Sequence, residues 1–250
     1  MTKAKTFEEV VTNMAQVLSA ARVPCVLWGH CLLNVHGVPS IISSIDFVVR
    51  DDCLDAGAEA LGRVDSLEPC PDSSTCPKSS PTRPSPPPTF HAHLKNSELI
   101  AGLYLQSETL WFLAPLDGER LLHPVEAELP SEFILASDQA VLPPRRPGWG
   151  WGFFESSGDA VIVPRSYVLL EAFLRLYARD WGKPIGAVAM PLIGYMEEYV
   201  DNDGFLDAQL LQEPLRTFYA ELHRGQMQRP LREWSQELRT ALGYYPQLNT

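Results

Sequence analysis

The sequence predicts an α/β (α+β) fold, in which a mixed sheet with flanking helices is followed by a helical C-terminal region. Three observations support this prediction. Two short β-branched runs, at residues 23–28 and 45–49, flank a short helical segment at 31–36, and such runs are typical of buried strands. Apolar and polar side chains alternate at 89–95, as they do in a half-buried strand. Apolar residues recur at helical spacing in several segments after residue 164.

The remaining elements follow from the same patterns. An amphipathic helix is expected to begin after Thr6, because that residue can cap a helix and apolar residues follow it at helical spacing. A second helix is expected at 53–64, and the alternation of strands and helices is typical of a mixed sheet. We predict further short strands at 121–124, 133–136 and 161–163, and helices at 164–179, 185–200, 205–224 and 231–242. A break at Pro214 is the alternative to one continuous helix at 205–224.

This pattern divides the chain into three parts. We expect an α/β domain at residues 1–140, a connector rich in Pro, Gly and Trp at 141–160, and a helical region at 161–250. Within the first part, residues 68–88 are almost wholly Pro, Ser, Thr, Cys and charged residues. Such a stretch lacks the apolar surface needed for packing, so we expect no packed element there and interpret it as an insertion or a lid.

Composition limits the classes of partner. The net charge of −11 argues against a broad nucleic-acid interface, since phosphate backbones are held by clusters of Lys and Arg. No apolar run reaches the roughly 18 residues that a membrane span requires. The charged N-terminal segment also lacks the apolar centre of a signal peptide. We therefore expect a cytoplasmic protein that does not bind membranes or nucleic acid.

The cysteines offer no recognisable metal pattern. There are five of them, an odd number, and none of their spacings is that of a common zinc motif. In a reducing compartment this predicts free thiols. Cys70 and Cys76 share one segment, so a disulfide between them is the less favoured alternative.

Residues 24–49 carry a resemblance to a known fold. A strand ends at Gly29-His30, a short helix follows, and the next strand contains Ser44 and Asp46. This arrangement resembles the nucleotidyltransferase fold. The resemblance implies that Gly29 and its neighbour hold nucleotide phosphates, and that an Asp-x-Asp pair on the second strand binds Mg²⁺. Here Ser44 takes the place of the first Asp, so only Asp46 remains, and His30 replaces a small residue.

The chain also resembles a group of uncharacterised filamentous-fungal proteins over nearly its whole length. The segments LYLQSETLWFL, FILASD and EEYVDNDG are among those that carry this resemblance. It implies a fungal, intracellular protein and no particular activity.

Two histidines are the strongest further candidates for a site. His91 and His93 lie two residues apart on a predicted strand, so their side chains point to the same face. If this strand pairs with the strand of Asp46, both imidazoles lie near the Asp46 carboxylate. The resemblance implies a third carboxylate at this neighbouring-strand position, and histidine would take its place. Asp46, His91 and His93 would then bind Zn²⁺ or Fe²⁺ rather than Mg²⁺. Alternatively, one histidine acts as a general base oriented by Asp46, or both are surface residues.

Three functions follow as hypotheses. In the first, a nucleotidyltransferase-like fold has been adapted to an enzyme of fungal secondary metabolism, which acts on a small molecule. Asp46, His91 and His93 are its candidate catalytic residues, and His30 is a further candidate. In the second, the protein is a pseudoenzyme that binds a ligand or a partner. In the third, it is an active Mg²⁺-dependent transferase in which Asp51 or Glu98 supplies the missing carboxylate. The sequence does not separate the first two, and it does not identify a cofactor, for which a divalent metal is one candidate.

Overall fold

The computed structural model describes residues 7–80, 86–116, 118–124, 128–155, 161–225 and 227–244. The chain divides into two compact units. The first comprises Met1–Arg83 with Pro87–Arg165, and the second comprises Pro84–Pro86 with Ser166–Thr250. The first unit is mixed α/β and the second is helical. Residues 141–155, which the sequence analysis treats as a connector, therefore belong to the first unit.

A five-stranded mixed sheet forms the centre of the first unit, with the strand order β1-β2-β5-β4-β3. Strands β2 and β5 are parallel, whereas every other neighbouring pair is antiparallel. The strands are β1 (Cys25–Trp28), β2 (Ser44–Val49), β3 (Leu67–Pro69), β4 (Phe90–Leu94) and β5 (Ile100–Leu105). A separate antiparallel pair consists of β6 (Phe133–Leu135) and β7 (Ile162–Pro164).

Burial explains why β2 and β5 lie in the middle of the sheet. Every residue of β2 is buried, and all but the last residue of β5 are buried. Strands that are covered on both faces read as nearly continuous apolar runs. Asp46 in β2 interrupts such a run with a charged side chain, and Gly102 in β5 interrupts one with no side chain at all.

The helices of the first unit cover the sheet unequally. They are α1 (Phe7–Ala20), α2 (Gly29–Val35), α3 (Leu54–Gly62), α4 (Gln106–Thr109) and α5 (Gly118–Leu122). Helices α1 and α3 contact each other, and Gly57 of α3 lies close to Leu103 of β5. Because side chains alternate along a strand, α3 lies on the sheet face opposite Gly102.

Two sequence predictions in this unit were wrong. Residues 68–88 were expected to contain no packed element, yet β3 pairs with β4 and a 3₁₀ helix spans Pro77–Ser79. An edge strand of this kind needs only backbone hydrogen bonds and one buried side chain, Leu67. The strand predicted at 121–124 is instead the end of α5, where Leu121 alone is buried. Residues 81–85 of the predicted insertion lie outside the described residues.

The second unit is a group of four α-helices, namely α6 (Ser166–Arg179), α7 (Pro184–Met196), α8 (Leu215–Leu222) and α9 (Leu231–Ala241). Trp234 of α9 is fully buried and donates its indole N–H to the carbonyl of Phe218 at 3.1 Å. The helix predicted at 205–224 is shorter than expected, because residues before Pro214 form a 3₁₀ turn at Ala208–Leu210. In neither unit does a described helix have the length and apolar content that crossing a membrane requires.

Candidate functional site

Asp46 is a buried carboxylate in the middle of the sheet. It pairs with Trp28 on β1 and with Gly102 on β5, so these three residues form a row on one face. Ser44 points to the same face and donates its hydroxyl hydrogen to Asp46 Oδ2 at 2.6 Å. Ser44 and Asp46 are each only 3 % exposed. The hydroxyl of Ser44 therefore supplies a hydrogen bond to a carboxylate that burial removes from water.

Two glycines make room for this carboxylate. Gly29 has φ +65°, and a Cβ at that position would lie 2.8 Å from Asp46 Oδ2. A Cβ on Gly102 would overlap Asp46 Oδ1 and would lie 3.1 Å from Pro88 Cβ. Real Cβ atoms do not approach their neighbours so closely, because interiors are already close-packed. The Asp46 carboxylate therefore fits only because positions 29 and 102 carry no Cβ atom.

Cys31 on α2 joins the short helix to strand β2, close to this carboxylate. Its thiol donates to the carbonyl of Ser44 at 3.2 Å. Burial, together with the nearby charge of Asp46, raises the pKa of Cys31 well above that of an ordinary thiol. The thiol therefore stays protonated and acts as a hydrogen-bond donor rather than as a nucleophile.

His30 is held by the segment that follows α2. Its ring Nδ1 lies 2.5 Å from the hydroxyl of Ser40. The side chain of Asn34 donates to the carbonyls of His30 and Ser40, at 2.9 and 2.8 Å. These contacts fix His30 beside Gly29, in the first turn of α2. Its participation in catalysis stays a prediction.

His91 and His93 do not lie on a strand beside Asp46, as the sequence analysis considered. Strand β5 separates β4 from β2, because its residues are more apolar than those of β4 and take the central position. His91 pairs with Gly102, which pairs with Asp46, so all three share one face. With strands about 4.8 Å apart, the Cα atoms of His91 and Asp46 are about 10 Å apart.

The two histidines instead meet two cysteines. One ligand atom from each of Cys70, Cys76, His91 and His93 lies within 4.8 Å of the other three. Cys76 Sγ is 3.7 Å from His93 Nε2, and the two imidazole rings are 5.2 Å apart between centroids. Among the described residues this is the only group of three or more His, Cys, Asp or Glu that could hold a metal, and it does not include Asp46.

Sequence reasoning missed the two cysteines of this group. Their spacing, Cys-x₅-Cys, and the His-x-His spacing that follows do not match the common zinc motifs. The signal that could have found these cysteines was their position relative to the two strands. Two cysteines lie at and after the end of one strand, and two same-face histidines lie on the next, which makes the two pairs neighbours if the strands form a hairpin.

Asp51 and Glu98, the carboxylates considered as replacements, stand elsewhere. Asp51 lies beyond the far end of β2. That end, at Val49, is three residues and about 10 Å along the strand from Asp46. Its carboxylate accepts a hydrogen bond from the backbone N–H of Ser107 at 3.1 Å. Glu98 is exposed in the turn before β5. The motif region therefore contains one buried carboxylate, Asp46.

A cavity lies on the other face of the sheet. It has a volume of about 290 Å³ among the described residues of α1, β1, β2, α5 and β7. Phe47 lines it, and because Phe47 follows Asp46 in β2 the two side chains point to opposite faces. Its lining is mostly apolar, with polar groups from α1 that include Thr12, Gln16 and Ser19. Small-molecule sites have this character.

Comparison of the chain with protein family models, curated proteins and solved structures gave no match. The resemblance to nucleotidyltransferases and to fungal proteins therefore stays a prediction, and the functional argument rests on the geometry alone.

Proposed function

We propose that this protein is a small-molecule-binding protein with a nucleotidyltransferase-like α/β unit that no longer transfers nucleotides. The observation that carries the proposal is the enclosure of Asp46 by Ser44 and Gly102. Ser44 donates to Asp46 on the same strand and Gly102 pairs with it on β5, and neither residue can supply a second carboxylate for Mg²⁺. In this proposal Asp46 is a structural group that orders the first turn of α2.

Nucleotidyl transfer depends on metal ions that neutralise the charge developing on the phosphates. Mg²⁺ demands near-octahedral oxygen coordination and is usually bound through carboxylates and phosphates together. The side chains of β5 that share a face with Asp46 are Ile100 and Tyr104, neither of which is acidic. A single buried carboxylate that already accepts from Ser44 is a poor anchor for that ion.

The cavity beside Phe47 supports the binding role. Its volume of about 290 Å³ is close to the lower end of small-molecule pockets, and its polar groups lie on one side, along α1. The hydroxyl of Thr12 is buried there and makes no hydrogen bond with any described residue. A ligand with an apolar body and one polar group matches this lining.

A turnover assay tests the loss of nucleotidyl transfer. The purified chain is incubated with Mg²⁺ or Mn²⁺, each of the four ribonucleoside triphosphates and a protein-free metabolite extract that supplies acceptors for the nucleotidyl group, and pyrophosphate release is measured. We expect wild type and Asp46→Asn to release pyrophosphate at the same background rate. Release that is faster in wild type and abolished in Asp46→Asn would contradict the proposal.

A binding assay tests the cavity. The fluorescent probe 1-anilinonaphthalene-8-sulfonate has an apolar body and one anionic group, and we expect it to bind wild type. Ala15→Phe should abolish this binding, because Ala15 lines the cavity and the larger ring fills it. Ala56→Phe, on the exposed side of α3, is the matched control and should bind as wild type does. Equal binding by both variants would place the probe elsewhere.

A second proposal, an enzyme of small-molecule metabolism, is favoured by one relationship. Asp46 and His91 lie on one face of the sheet, in one row with Gly102 between them. Metabolite extracts incubated with wild type and with Asp46→Asn distinguish the two proposals. A metabolite consumed by wild type alone would favour the enzyme, and unchanged extracts would favour the binding protein.

A further inference from the structure

We propose that Cys70, Cys76, His91 and His93 form a structural Zn²⁺ site, which fixes residues 70–80 to the edge of the sheet. The proposal does not depend on the function of Asp46 or of the cavity. Four ligands from two adjacent stretches of chain surround one point, and all four belong to the first unit.

The distances suit a tetrahedral ion. Zinc binds sulfur at about 2.3 Å and nitrogen at about 2.0–2.1 Å, so tetrahedral ligand atoms lie roughly 3.3–3.8 Å from one another. The separation of 3.7 Å between Cys76 Sγ and His93 Nε2 falls within this range. All four ligand atoms lie within 4.8 Å of one another, so movements well under 2 Å complete the coordination.

The β3–β4 pair brings three of the ligands together. His91 and His93 lie two residues apart in β4 and share one face. In β3, Glu68 pairs with His93 and Pro69 pairs with Ala92. Cys70 is the next residue, so the same register carries it to a position opposite His91.

A turn centred on Asp72 supplies the fourth ligand. The carboxylate of Asp72 accepts from the backbone N–H of Ser74 at 2.9 Å and from the hydroxyls of Ser74 and Thr75. The carbonyl of Asp72 accepts from the backbone N–H of Cys76 at 3.0 Å. This turn reverses the chain, so that Cys76 returns to the histidines that Cys70 has just reached.

The ligand chemistry selects zinc. Two thiolates and two imidazoles form a set that suits Zn²⁺, whereas Mg²⁺ and Ca²⁺ require oxygen ligands. All four coordination positions come from the protein, which is the pattern of structural sites, since catalytic zinc keeps one position open. The hydroxyl of Ser79 lies 3.4 Å from His91 Nδ1. That contact orients the ring and assigns Nε2 to the metal.

The segment also needs a source of stability other than a core. Residues 71–80 contain no Val, Leu, Ile, Met or aromatic side chain, and the first five of them are exposed. Ordering a chain costs backbone entropy at every residue. In small metal sites the binding free energy of the ion offsets this cost. A zinc ion at this site would stabilise the ordered conformation of residues 70–80, as apolar burial stabilises the sheet.

Metal analysis of the full chain tests the proposal. The protein is produced without a histidine tag in zinc-supplemented medium, and its metals are measured by mass spectrometry. We expect one Zn²⁺ per chain in wild type, and loss of most of it in the Cys70→Ser/Cys76→Ser variant. The matched controls Cys53→Ser and His123→Ala change the same residue types outside the group and should retain the zinc.

Cobalt substitution keeps the test valid if the double variant does not fold. Metal-free wild type is titrated with Co²⁺, and we expect the intense visible absorption of tetrahedral cobalt together with a thiolate-to-cobalt charge-transfer band. Zn²⁺ should displace the Co²⁺ and remove both absorption features. Zinc retained by the double variant, iron as the bound metal, a Cys70–Cys76 disulfide, or wild type that binds neither Zn²⁺ nor Co²⁺ would each overturn the proposal.

Discussion

Cys76 Sγ lies 3.7 Å from His93 Nε2, although 17 positions separate the two residues in the chain. The contact joins a segment without Val, Leu, Ile, Met or aromatic side chains to a strand of the central sheet. A metal ion bound by both residues would crosslink the segment to that strand.

Ser79→Ala should weaken zinc retention without removing a ligand. The Ser79 hydroxyl lies beside His91 Nδ1, and partners of this kind typically contribute about 10–100-fold to metal affinity. We expect zinc to transfer to a chromogenic chelator at a correspondingly lower chelator concentration. Ser73→Ala, in the exposed part of the same segment, is the control and should behave as wild type. Equal loss in both variants would argue against a role for Ser79.

Removal of zinc should expose the segment to proteolysis. Trypsin cleaves after Lys78, which is half-buried in the 3₁₀ helix next to the metal ligands. Chelation should speed this cleavage by about tenfold or more, since local opening becomes less costly and 1.4 kcal/mol corresponds to tenfold. Cleavage after Arg63, at the end of α3, should not change. Mass spectrometry of the early fragments measures both rates, and equal acceleration at both sites would indicate general unfolding.

Gly102→Ala should destabilise the first unit. The added methyl would overlap Asp46 Oδ1 and crowd Pro88, and overpacking of this kind costs about 1–3 kcal/mol. Urea unfolding measures the change. Gly62→Ala is the matched control, because a Cβ there meets nothing within 4 Å, and it should be neutral or slightly stabilising. In an Asp46→Ala background the cost of Gly102→Ala should fall, and an unchanged cost would mean that the crowding has another source.

His36 should make stability depend on pH. Burial lowers the pKa of His36 from 6.5 to about 4, and its Nε2 hydrogen bond to the carbonyl of Pro164 opposes that shift only in part. The unfolded chain therefore binds a proton between those values while the folded chain does not. The stabilisation is complete above pH 6.5 and is lost as the pH falls towards 4, by on the order of 3 kcal/mol.

Urea unfolding at several pH values between 7.5 and 4.5 checks this expectation. His36→Gln keeps a hydrogen-bond donor but has no titration in this range, so its stability should fall less steeply with acidity than that of wild type. The comparison cancels the contribution of other groups, including the metal ligands. Parallel curves for the two proteins would contradict the assignment to His36.

The order of elements around Asp46 followed from the sequence because local signals determine it. The β-branched runs of β1 and β2 and the glycine between them specify strand, turn, short helix and strand. The mixed α/β class followed from the same patterns. Strand order did not, because pairing between distant segments has no local signature. Because β5 lies between β2 and β4, the histidines are one strand further from Asp46 than the sequence analysis considered.

The metal group was half visible in the sequence. His91 and His93 were recognised as a same-face pair, whereas Cys70 and Cys76 were set aside because their spacing is unusual. Composition also misled the prediction for residues 68–88, since β3 takes its stability from backbone pairing with β4 rather than from apolar side chains.

X-ray absorption spectroscopy at the zinc edge is the most direct test of the metal site. It reports the atoms that surround the ion in the intact, full-length protein, with no substitution needed. We predict two sulfur neighbours at about 2.3 Å and two nitrogen neighbours at about 2.0–2.1 Å, with the multiple scattering of imidazole. A first shell made only of oxygen and nitrogen, or one with a single sulfur, would contradict the assignment of Cys70, Cys76, His91 and His93.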